Sequence, residues 1–96
     1  MIKRVVITGM GIYSTIGKDL EEVRESLYTG RSGIRFEPER KEMGFRSGLS
    51  GHIESPNLKG LLDRRSRVGL PEQGKYAYLA TLEAFKTAGI DQEYLE

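Results

Sequence analysis

The apolar positions of this chain change period along its length. Near the amino terminus, Val5-Val6-Ile7 is an unbroken β-branched run between Lys3-Arg4 and the turn Thr8-Gly9-Met10-Gly11-Ile12. A short run without alternation that stops at glycine predicts a strand buried on both faces, as in a parallel sheet. Over residues 19–30 the spacing becomes helical. Leu20, Val23 and Leu27 share one face, Asp19 stands at the N-cap with Glu22 in the capping-box position, and Gly30 fits the left-handed position after the last turn. Glu21 and Glu22 also suit the positive end of the helix dipole. Residues 31–43 are polar, with Pro38 and a charge cluster from Glu37 to Glu42, and read as a surface excursion. The stretch from Phe45 to Ile53 then alternates, with Phe45, Leu49 and Ile53 on one side and Ser47 and Gly51 between them. It predicts a half-buried strand, weakened by Gly48 and Gly51. Residues 54–62, with Pro56, read as a turn and an apolar step at Leu61-Leu62. A second helix is predicted over 72–88 behind Pro71. Ala77, Ala80, Ala84 and Ala88 form a small-residue face on it, Leu79, Leu82 and Phe85 lie beside that face, and Gly89 ends it. A polar tail follows.

The order is strand, helix, strand or hairpin, helix. We therefore expect an α/β chain forming one unit over 1–96, with no internal boundary and an incomplete sheet. One all-apolar strand needs neighbours on both edges and layers on both faces, and this chain supplies few of them. It reads as a piece of something larger, with low stability, self-association or homodimerisation, or a topology closed in another way.

Composition narrows the chemistry. About a quarter of the 96 residues are Leu, Ile, Val or Phe, enough for a globular chain, although 30% of residues are charged. The net charge of +1 predicts neither nucleic-acid nor membrane affinity. No cysteine is present and His52 is the only histidine, so the chain has no disulfide frame, no thiolate or multi-histidine metal site and no cysteine nucleophile. No apolar run approaches the roughly 20 residues of a membrane span, and Met1-Ile2-Lys3-Arg4 lacks a secretory apolar region. A cytoplasmic location is the simplest expectation.

The glycine turn invites a dinucleotide. That fingerprint asks for a glycine or alanine three places after the second glycine, for a helix that begins inside the turn, and for an acidic residue about 20 positions on. Here the third position is Ser14, the helix starts near Asp19, and an Arg-Ser-Gly loop occupies the later site. No cofactor is expected. Gly9 and Gly11 are better read as permitting close backbone approach.

The residues from Lys3 to Ile12, then Ser14, Ile16-Gly17 and Gly30-Arg31-Ser32-Gly33-Ile34, resemble in order and spacing the amino terminus of the β-ketoacyl-acyl-carrier-protein synthases. Met43-Gly44-Phe45-Arg46-Ser47, Gly60-Leu61-Leu62-Asp63-Arg64-Arg65 and Ala88-Gly89-Ile90 are similar to the type I branch of that family. The likeness spans residues 2–90, and its strength lies in the ordered set. It implies a partial thiolase-like fold. It also implies a parent enzyme of fatty acid biosynthesis that condenses an enzyme-bound acyl group with malonyl on acyl carrier protein, losing carbon dioxide. The nucleophilic cysteine and two histidines that the resemblance implies lie beyond the matched region, and His52 corresponds to neither histidine. The chain alone is therefore expected to be inactive, with no catalytic residue of its own.

His52 reads as a polar residue on the outward side of a strand, and the pairs Glu21/Glu22 and Glu37/Glu39 as solvated surface. The segment with a functional claim is Arg64, Arg65 and Arg67, a local positive patch on a nearly neutral chain. The resemblance implies that a basic segment here docks the acidic acyl carrier protein. Arg64 and Arg65 align with that segment after Asp63, while the next family basic position falls near Val68 and Arg67 transfers less directly. Two alternatives remain: a non-catalytic module that binds carrier protein or a partner synthase subunit, and a fragment of a nucleotide-binding oxidoreductase.

Overall fold

The structure is a computed structural model that describes residues 2–90; the predicted tail beyond Ile90 lies outside them. In chain order it contains α1 (Leu20–Thr29), β1 (Ile34–Phe36), α2 (Pro38–Glu42), β2 (Leu49–Gly51), α3 (Arg64–Val68) and α4 (Glu72–Ala88).

The first helix follows its sequence signals closely. The Asp19 side chain accepts from the Glu22 amide at 2.9 Å, and Gly30 takes the left-handed conformation with φ of 72°. The Glu22 carboxylate reaches back one residue further than a simple capping box and accepts from the Lys18 amide at 2.9 Å. Ser26 is the buried polar residue of α1, and its hydroxyl donates to the Ile16 carbonyl, fastening the helix to the loop before it.

The sheet differs from expectation. Among the described residues it has two strands, antiparallel, with Ile34 opposite Gly51 and Phe36 opposite Leu49. β1 and α2 occupy the stretch read as a polar excursion, and β2 covers only the centre of the stretch read as a longer strand. Val5-Val6-Ile7 joins no ladder; Val5 is 96% and Ile7 86% exposed. A parallel strand is stabilised by neighbours on both edges, and no described segment of this chain pairs with these residues. The apolar run is legible, but its partners are not in the described chain.

Packing is correspondingly thin. The radius of gyration is 17.4 Å, against about 13 Å for a compact domain of this length. Leu58, 3% exposed, is the one buried apolar residue among those described.

What holds the chain together is close backbone approach joined by side-chain bonds to backbone groups. Gly9 and Gly11 lie on the small-residue face of α4: a Cβ at Gly11 would overlap the Ala80 carbonyl, and one at Gly9 would meet Ala84 and Ala88. The Thr87 hydroxyl donates to the Met10 carbonyl and accepts from the Met10 amide, both at 2.9 Å. The Glu83 carboxylate accepts from the Ile12 amide at 2.9 Å and the Leu20 amide at 2.8 Å. Tyr13 stacks on Tyr76 with ring centroids 5.4 Å apart. Thus α4 organises the glycine turn and the start of α1, as its alanine face predicts, although Ala77 itself is exposed. Thr15 sits against Gly33 and Gly51, joining the loop before α1 to the hairpin.

Candidate functional site

The basic segment stands on a short helix whose position is set by the turn before it. Leu58 is buried, and its carbonyl accepts from the Leu61 amide at 3.0 Å and the Leu62 amide at 3.1 Å. Gly60, with φ of 89°, supplies the left-handed step that this turn requires. Asp63 then caps α3, accepting from the Ser66 amide at 2.8 Å. The Ser66 backbone N–H holds the Asp63 carboxyl below its ordinary value, with the Ser66 side chain and then the nearby Arg67 charge contributing less.

The structure divides the arginine trio. Arg64 and Arg67, three residues apart, line one shallow concavity of about 430 Å³ together with Lys59 and Val68. Arg65 does not line it. Positions i and i+3 share a helix face, whereas i+1 is turned away by about 100°. Arg67 also donates from Nε to the Asp63 carbonyl at 3.4 Å. Reading the charges as one run missed Lys59, which is separated from them in sequence by Gly60 to Asp63. The left-handed turn brings it back, and the Lys59–Leu62 bridge marks the reversal.

A second polar cluster centres on Glu37. Arg35 Nε is 3.1 Å and His52 Nδ1 3.0 Å from the same Glu37 oxygen. The hydrogen bond from Arg35 is the largest influence holding Glu37 below the usual carboxylate range. Glu37 is therefore not the free surface carboxylate expected, and His52, just past β2, is half-buried beside it. Arg35 and His52 border a cavity of about 330 Å³ that is also lined by Lys18, Glu22, Arg31 and Glu54, while Glu37 stands outside it. Within it Lys18 and Glu54 are 3.8 Å apart. A third carboxylate, Glu72, accepts from Lys75, Tyr76 and Ser55, and the Lys75 hydrogen bond is foremost in lowering its pKa.

The three shifted carboxylates set an acid limit. Each folded-state value lies below the ordinary one, 4.5 for Glu37 and Glu72 and 3.8 for Asp63. Folding thus favours their ionised forms. The stabilisation is present above those ordinary values and is lost as pH falls through the lowered ones. Denaturation midpoints are expected to hold from about pH 6 to pH 5 and to decline steadily towards pH 3; an unchanged midpoint at pH 3 would refute this.

Among the described residues no cluster of His, Asp and Glu is placed to hold a metal ion, and no helix is long and apolar enough to cross a membrane.

Comparison with known proteins places the chain. Residues 2–96 match the profile of the β-ketoacyl synthase N-terminal domain, and the chain belongs to that family. It is similar to 3-oxoacyl-[acyl-carrier-protein] synthase 1 of Buchnera aphidicola from Acyrthosiphon pisum, 41% identical over 99% of this chain and 23% of the relative. The Escherichia coli K12 protein of the same name is also 41% identical, over 96% of this chain and 22% of the relative. The chloroplastic 3-oxoacyl-[acyl-carrier-protein] synthase I of Arabidopsis thaliana is 32% identical over 97% of this chain and 20% of the relative. The chain thus spans less than a quarter of the length of these relatives.

Proposed function

We propose that this chain is the amino-terminal part of a 3-oxoacyl-acyl-carrier-protein synthase, and that its own contribution is to help seat the carrier protein through Arg64, Arg65 and Arg67. The condensation belongs to the complete enzyme. Claisen-type condensation in this family requires a thiolate to hold the acyl group and groups that stabilise developing negative charge. A chain with no cysteine and a single histidine, that histidine set beside Glu37, holds no such set. The chain alone is inactive on this reading.

The observation that carries the docking role is a cluster of positive charge: Arg64, Arg65 and Arg67 fall within four residues of one short helix, and among the described residues none of them forms an ion pair. Such a patch attracts an acidic protein and speeds encounter.

The test is titration of the chain with an acidic acyl carrier protein at low and raised salt, beside an assay for condensation product. Binding is expected to weaken as salt rises. Replacing Arg64 and Arg65 together by Glu is expected to reduce affinity about tenfold or more and to flatten the salt dependence, with no product formed by either chain. Unchanged affinity after that double reversal overturns the docking role, and product formed by the unaltered chain overturns the inactive reading.

A further inference from the structure

The cavity beside the hairpin is lined from three segments: the loop before α1, the Arg31-Ser32-Gly33 loop that leads into β1, and the chain just past β2. At about 330 Å³ it has the size of a site for a small ligand. Two of its carboxylates are engaged with Lys18: Glu54 lies 3.8 Å from the Lys18 ammonium, and Glu22 accepts from the Lys18 amide at 2.9 Å. Arg31 enters none of the ion pairs among the described residues. Arg35 and His52 are held from outside the cavity, where one Glu37 oxygen lies 3.1 Å from Arg35 Nε and 3.0 Å from His52 Nδ1. The Nη groups of Arg35 and Nε2 of His52 have no protein partner among the described residues. The loop between them is fixed. The Arg31 amide donates to the Ser26 carbonyl at 2.9 Å, the Ser32 hydroxyl oxygen accepts from the Ile34 amide at 3.1 Å, and a Cβ at Gly33 would overlap the Thr15 side chain. The Ser32 and Gly33 amides themselves donate to no group among the described residues. Two guanidinium groups, an oriented imidazole and two backbone N–H groups converge from different directions, which suits the three terminal oxygens of a phosphate better than the two of a carboxylate. Ile34 and Ile53 add an apolar wall.

We infer that this cavity binds the phosphate group of a small phosphate monoester, with Arg31, Arg35 and His52 as its side-chain contacts, the Ser32 and Gly33 amides as its backbone contacts, and Glu37 as a positioning residue. The site shares no residue with α3 and stands apart from the docking role proposed above. Glu37 separates a built site from general attraction. As a negative charge it repels any anion nearby. As the group that fixes Arg35 and His52, it keeps their remaining donors turned to the ligand. An ion held by diffuse positive charge therefore binds better once Glu37 is removed, whereas a phosphate held by oriented donors binds worse.

The experiment follows the amide NMR spectrum of the chain during titration with inorganic phosphate and with propyl phosphate at constant ionic strength, the unmoved signals of α4 verifying the fold of each variant. Saturating shifts are expected at Ser32, Gly33 and His52 with an affinity of about 1 mM, the ester binding about two- to threefold tighter than inorganic phosphate because its carbon chain meets Ile34 and Ile53. R31A and R35A are each expected to lower affinity about tenfold and H52A about threefold. R24A, which removes a cation of α1 outside the cavity, is expected to leave it unchanged. E37A is expected to lower affinity about threefold although it raises the net positive charge. Shifts at these amides that do not saturate, or that R24A weakens as much as R35A does, overturn the site. Tighter binding by E37A overturns the positioning role and reduces the ligand to a loosely attracted ion. Equal affinity for the two probes overturns the ester and makes free phosphate the ligand.

Discussion

Replacing Gly11 by Val is expected to destabilise the chain by about 3 kcal/mol, or to release the segment before α1 from α4 altogether. The cause is a backbone collision. A Cβ at position 11 would overlap the Ala80 carbonyl and lie 2.8 Å from the Ala84 amide nitrogen. A crowded side chain can change rotamer, but helix backbone can only move away, and moving it breaks the surrounding contacts. The Thr87 hydroxyl would lose both its bonds to Met10, and Glu83 its bond to the Ile12 amide. Gly69→Ala is the control: its φ is −80° and the nearest atom to a new Cβ is the Arg65 carbonyl oxygen at 3.7 Å, so a methyl group fits there. Chemical denaturation of both variants checks the magnitude, and amide exchange at Met10 and Ile12 checks the mechanism. A midpoint for Gly11→Val that matches Gly69→Ala, with both amides still protected, sinks the argument.

The same contact explains which parts of the fold can be read from sequence. Helices α1 and α4 are local objects, with caps, apolar faces and terminal glycines that lie within the segments themselves, and they occur where periodicity puts them. The alanine face of α4 implies a close neighbour, and the Gly9–Gly11 turn implies a backbone that can approach closely; the structure joins the two. Strand pairing is not local. Val5-Val6-Ile7 carries the signature of a buried strand, but its state depends on a partner that the described chain does not provide. Helices α2 and α3 each have five residues, too few for a 3.6-residue period to register. The concavity at α3 shares that difficulty: the arginines are visible as a cluster, but which of them face together depends on the helical turn of α3. Lys59 joins them only through the turn at Gly60, a glycine of positive φ set between Leu58-Lys59 and Leu61-Leu62. Glu83 gave no signal at all, because a single glutamate in a helix is ordinary until its tertiary partners are known.

Glu83 leads to the second large effect. Its two carboxylate oxygens accept from two backbone amides far away in sequence, Ile12 at 2.9 Å and Leu20 at 2.8 Å. Leu20 is the first residue of α1, where helix N–H groups have no partner within the helix. Asp19 satisfies the Glu22 amide, and Glu83 satisfies the Leu20 amide from another helix. The bond is charge-assisted and set at the positive end of the α1 dipole. Glu83→Ala leaves both amides without this acceptor in a half-buried setting and separates three pieces of chain, so a loss of about 3 kcal/mol is expected. Glu83→Gln keeps one oxygen acceptor but places an amide NH2 beside a backbone N–H. It is expected to fall between the two, about 1–2 kcal/mol below the original. Glu83→Asp, one methylene shorter, is expected to lose one of the two bonds and to resemble Gln. Denaturation midpoints give the ranking. Amide exchange identifies the site, with Ile12 and Leu20 losing protection in Glu83→Ala while the middle of α4 keeps it. Equal stability of Glu83→Ala and the original would mean that water satisfies these amides equally well, and that the link between α4 and α1 rests on the glycine–alanine contact alone.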